Sequence, residues 1–403
     1  MRNTLLVLCV VALLGCGTKT QKITITNRHD FRLKDKLVVL DRTAIKTAKG
    51  LPCIVAANDR HTPSQLVDHN QDGVWDQIIF QATVEAQSNV EFNIDWVSED
   101  AYPTYVKQTQ VYLGYSESKH GRFVSIDQHE RDSSHVPQKA PYTYQFEGPG
   151  WESNLVAFRS YFDTRNGKDI FGKTAKELVL QKIGTGENYH TLQDWGMDVL
   201  KVGQSLGAGA LAIIKNDSLI RLGQTKSAEF LKIEEGPIRS SFTLRYKGWN
   251  VWGQEYEVDE TVSIQANKRW FKSTVSLRKE KSSVDTLVVG IVNLKGAMVD
   301  SFFQSGNHVL YTHGKQSENG DVLGMALIVR REHHVKVGKA PIEGDGITHS
   351  ELAYLMPSKN SYSYYFYAGW ELENTEFKEL ANFRRNLEAT ANEISADLTV
   401  EVQ

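Results

Sequence analysis

Hydrophobic and polar residues alternate along much of this chain with a period of two. The clearest alternating segments are 23–25, 90–96, 256–264, 271–277 and 362–367. Such alternation is the pattern of β-strands that bury one face. Turn signals separate the segments, at Asn166-Gly167, Asn319-Gly320 and Gly344 to Gly346. The pattern predicts an all-β fold, a large antiparallel β-sandwich.

One segment near the C-terminus has helical periodicity instead. Asn374 can cap a helix there, and Glu376 lies in its first turn. The apolar residues at helical spacing are Phe377, Leu380, Ala381, Leu387, Ala391 and Ile394. We therefore expect one C-terminal helix that packs on a sheet. Because there is no internal repeat and no convincing linker, residues 22–403 are expected to form a single β-sandwich domain.

The N-terminus has the pattern of a signal peptide. Arg2 precedes an apolar run at 5–14 that is too short to span a membrane. Leu13-Leu14-Gly15-Cys16 looks like a bacterial lipobox, which predicts removal of residues 1–15 and lipidation of Cys16, with 16–21 as a tether. The alternative is an ordinary secretory peptide with a chance cysteine. The lipobox predicts an outer-membrane lipoprotein that contacts the membrane through its lipid only. No acidic cluster follows Cys16, which favours the periplasmic side over surface display.

Composition narrows the class of partner. The formal net charge is -3, whereas nucleic-acid-binding surfaces are strongly basic, so no nucleic acid is expected. Eight Trp and sixteen Tyr suit stacking on sugar rings, although aromatic residues also fill sandwich cores. Once Cys9 leaves with the signal and Cys16 is lipidated, Cys53 alone remains, so no intrachain disulfide can form. Its apolar setting predicts a buried, unreactive thiol.

The segment 68–76 carries oxygen ligands at alternate positions around a glycine turn. Asp68, Asn70, Asp72 and Asp76 are the candidate ligands of a structural Ca²⁺ ion. The distal bidentate Glu of an EF-hand is missing. The alternative is an Asx-rich hairpin without an ion. No cofactor is expected to be required for chemistry.

Charged and aromatic residues crowd between glycines at 148–209. If 155–163 is a strand, the odd-numbered residues share one face, and that face carries Arg159, Tyr161 and Asp163 in a row. The even-numbered residues, which include Phe158 and Phe162, form a core face. Further candidates in this block are Trp151, Arg165, Lys173, His190, Asp194 and Trp195. The alternative is a salt-bridge lattice on a solvent-facing sheet.

Candidates outside this block are fewer. Arg239 follows a turn and could contact an anionic ligand, although a structural role is the simpler interpretation. His313 ends a strand on which His308 also lies. His333 and His334 are adjacent, so on a strand they face opposite sides and make poor paired zinc ligands, and we interpret them as surface residues.

Three motifs allow a comparison with known families, namely GPGWESNLVAFRSYFDTRNGKDIFGK, DWGMDVLKVGQSLGAG and THGKQSENGDVLGMALIV. They resemble those of the ulvan oligosaccharide dehydratases, bacterial lipoproteins of polysaccharide-utilisation loci long described as a domain of unknown function. The resemblance covers nearly the whole mature chain. It implies a galactose-mutarotase-like supersandwich. It also implies a hydro-lyase that removes water from the terminal uronic acid of an anionic, ulvan-derived oligosaccharide, leaving a 4,5-unsaturated end.

That reaction needs a cation on the substrate carboxylate, a base at C5 and an acid at O4. Arg159 is our candidate for the cation, with Lys173 or Arg165 assisting. His190 is the candidate base, oriented by Asp194, and Tyr161 the candidate acid, although these two roles are interchangeable. Trp151 and Trp195 would form stacking walls, and His313 would supply a second acid or base. These roles are inferred from residue types and spacing.

Three other functions stay open on sequence grounds. A uronate polysaccharide lyase would use nearly the same groups but eliminate a sugar chain instead of water. A glycan-binding lipoprotein would need aromatic residues and donors but no base. A glycoside hydrolase would need two opposed carboxylates, for which Glu152, Asp163, Asp169, Asp194 and Asp198 supply material.

Overall fold

The computed structural model of the protein describes residues 21–118, 121–133, 143–280 and 284–403. The predicted signal peptide, the lipidation site Cys16 and the rest of the tether up to residue 20 lie outside the described residues. Gln21, assigned to the tether, is the first residue of a strand and pairs with Ile94. Within the described ranges, no helix is long and apolar enough to cross a membrane.

The N-terminal strands form a small sandwich with its own core. They are β1 (Gln21–Asn27), β2 (Leu33–Asp41), β3 (Leu51–Ala56), β4 (His61–Thr62), β5 (Ser64–Val67), β6 (Gln77–Val84) and β7 (Ser88–Val97). One sheet contains β1, β7, β3 and β4, and the other contains β2, β6 and β5. Ile23, Ile94 and Phe80 meet between them, as the alternation predicts. Cys53 is fully buried, and burial raises the pKa of its thiol to about 11, which agrees with an unreactive cysteine.

The later strands form a larger sandwich. They are β8 (Thr109–Tyr112), β9 (Gly114–Tyr115), β10 (Val124–Ser125), β11 (Gln128–Asp132), β12 (Gly150–Ser153), β13 (Val156–Ser160), β14 (Lys168–Lys173), β15 (Gly196–Asp198), β16 (Ala208–Lys215), β17 (Ser218–Arg221), β18 (Ser227–Glu234), β19 (Arg239–Val251), β20 (Gln254–Gln265), β21 (Trp270–Lys279), β22 (Thr286–Val292), β23 (Met298–Gln304), β24 (Asn307–Gly314), β25 (Leu323–Arg330), β26 (His334–Lys339), β27 (Ser350–Leu355) and β28 (Tyr362–Trp370). The last strand of the chain is β29 (Thr399–Val402), and short 3₁₀ turns lie at Arg42–Ala44, Glu99–Ala101, Gln145–Glu147 and Thr375–Lys378.

One nine-stranded sheet faces two five-stranded sheets across a shared core. The nine-stranded order is β11-β18-β19-β20-β21-β28-β25-β24-β23. The facing sheets are β15-β14-β13-β12-β8 and β17-β16-β22-β27-β26, while β9 and β10 form a separate hairpin. Trp151 and Phe158 from one side meet Phe242 and Phe271 from the other. Every described strand pair is antiparallel, so the predicted all-β antiparallel sandwich is confirmed.

The predicted C-terminal helix, α1 (Leu380–Ser395), is also confirmed. It packs on the outer face of the nine-stranded sheet, where Phe383 and Leu387 contact the layer that contains Tyr311 and Tyr367. Its start differs from the prediction, because Asn374 caps the preceding 3₁₀ turn by accepting a bond of 3.2 Å from the Glu376 amide. β29 then returns to pair with β1. That residues 22–403 form a single domain stays a prediction. Within this range the structure contains two separate sandwich cores.

Candidate active site

The hairpin of β13 and β14 brings the polar residues of the central block together. Arg159 and Asp169 are direct cross-strand partners, so their side chains share one face. The turn between the strands is fixed by Asn166, whose side chain donates to the carbonyls of Leu222 and Gly223. β15 extends the sheet beside β14 and adds Asp198. We call the group formed here the Arg159 cluster, and its members are Arg159, Tyr161, Asp169, Tyr189, His190 and Asp198.

The Arg159 guanidinium is the centre of this cluster and is almost wholly buried. Its Nη2 donates to Asp169 at 2.7 Å, to Asp198 at 2.8 Å and to the Tyr161 hydroxyl at 3.0 Å. Its Nη1 donates to the Phe146 carbonyl at 3.2 Å and to the Tyr189 hydroxyl at 3.3 Å. Since these protein groups occupy the guanidinium, the prediction that Arg159 grips a substrate carboxylate is wrong. It acts as the counterion of two buried carboxylates.

Burial sets the protonation of the neighbouring groups. Burial and the nearby Asp169 raise the pKa of Asp198 well above its ordinary value, against the opposing charge of Arg159. Burial and Asp169 also raise the pKa of Tyr161, which therefore keeps its proton. That proton is donated to Asp169 at 2.7 Å. The Tyr161 hydroxyl is thus enclosed within the cluster, which counts against its predicted role as the acid at O4.

His190 is the accessible member of the cluster. Its Nδ1 lies 3.3 Å from Asp198 Oδ2, and its side chain is 60% exposed. An Asx turn holds the backbone, because the His190 amide donates to Asn188. Burial, and then the charge of Arg159, lower the pKa of the imidazole, so it is neutral at pH 7. With Nδ1 facing Asp198, Nε2 is the nitrogen left for an external proton.

Tyr189 was missed by the sequence reasoning. Its hydroxyl accepts from Arg159, so its own proton stays free to donate, and burial raises its pKa. Its ring lies 4.4 Å from the His190 ring, centre to centre. Its carbonyl accepts from the Asp198 amide at 2.8 Å, which fixes the loop on β15. Adjacency to His190 in the sequence was the only available signal.

Arg165 lies beside the cluster and is the more accessible cation, with 41% of its side chain exposed. Its guanidinium lies 4.1 Å from the centre of the Tyr161 ring. It pairs with Asp163 at 2.5 Å and with Glu147 at 3.0 Å. The structure therefore brings four predicted residues, Arg159, Tyr161, Arg165 and His190, into one place. The predicted partner of His190 is wrong, because Asp198 rather than Asp194 contacts its imidazole.

Lys173 and Trp151 do not belong to the site. Lys173 Nζ donates to Glu152 at 2.7 Å and to the Ser153 carbonyl at 2.9 Å, and neither side chain of the ion pair is exposed. The Val179 and Leu180 amides close over Glu152. Trp151 is fully buried in the large core, so it cannot form a stacking wall. The roles predicted for both residues are wrong for the same reason, since protein atoms cover them.

Asp194 and Trp195 lie near the cluster, at a cleft of about 350 Å³ that Tyr189 also lines. Trp195 is half-buried and its ring packs edge-on against Phe171, 6.2 Å away. Its predicted stacking on a sugar stays a prediction. Asp194 is exposed, and its carbonyl accepts from the Thr174 hydroxyl at 2.7 Å.

The remaining candidates lie elsewhere. Arg239 pairs with Glu234 at 2.5 Å, and its backbone bonds to Gln65, which joins the two sandwiches. His313 is buried, and its Nε2 bonds to the Phe377 carbonyl next to α1. The predicted catalytic role of His313 is therefore wrong. His333 is buried too, against our surface interpretation, and His334 contacts His308 at 2.6 Å.

The carboxylates of the 68–76 loop are occupied by its own backbone. Asp68 accepts from the Gly73 amide at 2.8 Å, Asp72 from Val74 at 2.8 Å and Asp76 from His69 at 2.8 Å. Asn70 donates to Asp72. In the described part of the chain, no group of three or more His, Cys, Asp or Glu side chains is placed to hold a metal ion. These bonds build the Asx-rich hairpin, and a calcium ion here stays a prediction.

Residues 25–400 match a protein family described as Domain of unknown function (DUF4861). The chain belongs to this family. It is also similar to a Formosa agariphila protein named Uncharacterized protein P7, with 23% identity over 365 residues that cover 84% of this chain and 81% of that protein.

Solved structures give partial likenesses. A protein in the glycosyl hydrolase family 38 from Enterococcus faecalis aligns with 96% of this chain at 9% identity and a TM-score of 0.48. An alpha-mannosidase from Enterococcus faecalis V583 aligns at 9% identity and a TM-score of 0.42. This chain spans about half of those two, 48% and 46%. A putative aldose 1-epimerase from Klebsiella pneumoniae aligns with 72% of this chain, over 96% of its own length, at 8% identity and a TM-score of 0.32.

Proposed function

We propose that this protein is an oligosaccharide dehydratase that removes water from the uronic acid at the non-reducing end of ulvan oligosaccharides. The observation that carries the proposal is the exposed, neutral His190 backed by Asp198 and Arg159. An imidazole held by a buried carboxylate is suited to accept a proton from bound substrate. The substrate class comes from the resemblance of the central motifs to the ulvan dehydratases.

The reaction assigns one role to each accessible group. His190 Nε2 takes the C5 proton, and the electrons of that C–H bond form the C4=C5 double bond. The C4–O4 bond breaks, and O4 leaves as water after taking the Tyr189 proton. The proton on His190 then returns to Tyr189, which restores the site. We assign Arg165 to the substrate carboxylate, because it lies beside the cluster and keeps 41% of its side chain exposed while it pairs with Asp163 and Glu147. Its positive charge would stabilise the charge that develops on that carboxylate.

The geometry weighs against glycoside hydrolysis. Asp169 and Asp198 bond to the same Arg159 nitrogen, so they are close enough to act as a pair. Both side chains are buried, however, with 0% and 2% exposed. A hydrolase needs two carboxylates that reach the sugar from either side. A uronate lyase and a glycan-binding lipoprotein remain alternatives that the products of the reaction distinguish.

Mass spectrometry of defined uronic-acid oligosaccharides, incubated with the purified protein, tests the proposal. We expect each oligomer to lose the mass of one water without becoming shorter, together with increased ultraviolet absorbance from the conjugated acid. Activity is expected to survive a chelator, because the steps above use side chains only. Shortened products would identify a lyase instead, and unchanged oligomers that bind would identify a glycan-binding protein.

The pH dependence gives a second test. His190 must be unprotonated to act, so kcat/KM should be constant at neutral pH and fall as the pH is lowered through the pKa of the imidazole. Burial and Arg159 lower that pKa from its ordinary 6.5, so the midpoint is expected below pH 6.5. Initial rates across the acidic range measure it. A midpoint above 6.5 would contradict the assignment of His190 as the base.

A further inference from the structure

A second cleft, of about 580 Å³, is lined in part by Tyr161 and Arg165. Its lining includes Arg221, at the end of β17, and the exposed Asp345. A cleft of this volume is large enough for a small ligand. Tyr161 connects it with the Arg159 cluster, because its ring lines the cleft while its hydroxyl bonds to Arg159. We call it the Arg221 cleft.

Arg221 differs from the other arginines of this region in having no carboxylate partner. Its Nη2 donates to the carbonyls of Gln204 and Ser205, each at 2.6 Å, which fixes the guanidinium in place. Among the residues that the structure describes, no Asp or Glu forms an ion pair with it, and its Nε and Nη1 have no hydrogen-bond partner. By contrast, Arg165 forms ion pairs with Asp163 and Glu147. A half-buried cation that is oriented but not neutralised is suited to bind an anion.

The charge of the cleft agrees with this. Its charged lining residues are Arg165, Arg221 and Asp345. Arg165 is already paired with Asp163 and Glu147, whereas Arg221 has no ion-pair partner among the described residues. The chain as a whole has a net charge of -3. Burial lowers the pKa of Arg221, which agrees with a cation that forms no ion pair among the described residues. An incoming oxyanion would compensate its charge.

We propose that the Arg221 cleft is a subsite for an oxyanion, a carboxylate or a sulfate ester, on a sugar beyond the one that reacts. This inference rests on the proposed function, since it assumes that the reacting sugar lies at His190. Arg221 supplies charged donors to the oxyanion, and Asp345 opposes it at the rim. The subsite selects oligosaccharides that carry a second anionic group.

Arg221→Gln tests the subsite by calorimetric titration with two anionic probes, sodium sulfate and sodium glucuronate, which distinguish the two oxyanions. We expect weaker binding of the preferred probe by about 10- to 100-fold, as for loss of a charge-assisted hydrogen bond. Arg278→Gln is the matched control, because Arg278 is an exposed arginine already paired with Asp259, and it should leave binding unchanged. Binding of both probes by Arg221→Gln as tightly as by wild type would overturn the proposal.

Asp345→Asn is a second test of the subsite, which does not depend on the folding of the Arg221 variant because Asp345 is exposed. It should tighten binding of the preferred probe a few-fold, and unchanged or weaker binding would contradict the subsite. With oligosaccharides, Arg221→Gln should raise KM and leave kcat unchanged. If no oligosaccharide is dehydrated but the titrations behave as expected, the proposed function fails and the anion site stands.

Discussion

Replacing His190 by alanine is expected to lower kcat/KM for dehydration by about 10²- to 10⁴-fold, the usual contribution of a positioned general base. The imidazole is the accessible base of the Arg159 cluster, and its Nε2 points away from Asp198. Folding should be nearly unaffected, because the side chain is 60% exposed and substitutions at such positions change stability by about 0.5 kcal/mol or less. Initial rates and thermal melting of the same preparation measure the two effects.

His61→Ala is the matched control for this experiment. His61 is also an exposed histidine, on the short strand β4 of the small sandwich, far along the chain from the cluster. It should retain full activity. His190→Gln adds a second arm, because glutamine keeps a hydrogen-bonding side chain but cannot take a proton. Full activity in either His190 variant would exclude the imidazole as the base.

The fold class could be predicted from the sequence, and so could the fact that the polar residues of the central block lie close together. Alternation identified the strands because each sandwich buries one face of most of its strands. Arg159, Tyr161 and Arg165 lie within one hairpin, β13 to β14, so local pairing was enough to bring them together. Neither inference needed contacts between distant parts of the chain.

The burial of those residues could not be predicted from the alternation of hydrophobic and polar positions. The loop 174–195 folds back over the outer face of β13 and β14, where Val179, Leu180 and Ile183 pack on Phe171. A face expected to meet solvent and substrate is therefore buried, and Lys173 is sealed against Glu152. Alternation gives the side of a strand on which a residue lies, but it does not reveal a further layer that covers that side.

The carboxylate that contacts His190 could not be predicted from sequence spacing either. Asp194 was the expected partner of His190 because it is near in sequence, but the strand β15 begins only at Gly196. The ladder between β14 and β15 then sets Asp198 opposite Phe171 and next to Arg159. His190 therefore contacts the carboxylate that the sheet places there. The same reasoning changes the role of Arg159, from a substrate ligand to the residue that holds Asp198 in position.

Replacing Arg159 by methionine is accordingly expected to destabilise the protein by about 3–5 kcal/mol, the cost of leaving buried charges without their partner. Asp169 and Asp198 are 0% and 2% exposed and both bond to the guanidinium, so its loss leaves two carboxylates in the interior. Urea unfolding at neutral pH measures the change in the free energy of unfolding. The stability of Arg159→Lys should lie between that of the wild type and that of Arg159→Met, because an ammonium keeps the charge but lacks the planar fork of donors.

The pH dependence of this loss follows from the same charges. Without Arg159, which opposes the effect of burial, the pKa of Asp198 should rise further above its unfolded value. A carboxyl whose pKa is raised by folding stabilises the folded state at low pH and loses that contribution as the pH rises through the folded pKa. The loss of stability in Arg159→Met should therefore be largest at neutral pH and shrink as the pH falls.

Arg245→Met is the control, because Arg245 is 40% exposed and pairs with Glu229 and Asp259 on the surface, where loss of an ion pair costs about 0–1 kcal/mol. A stable Arg159→Met variant that has lost only substrate binding would show that the guanidinium serves the substrate after all.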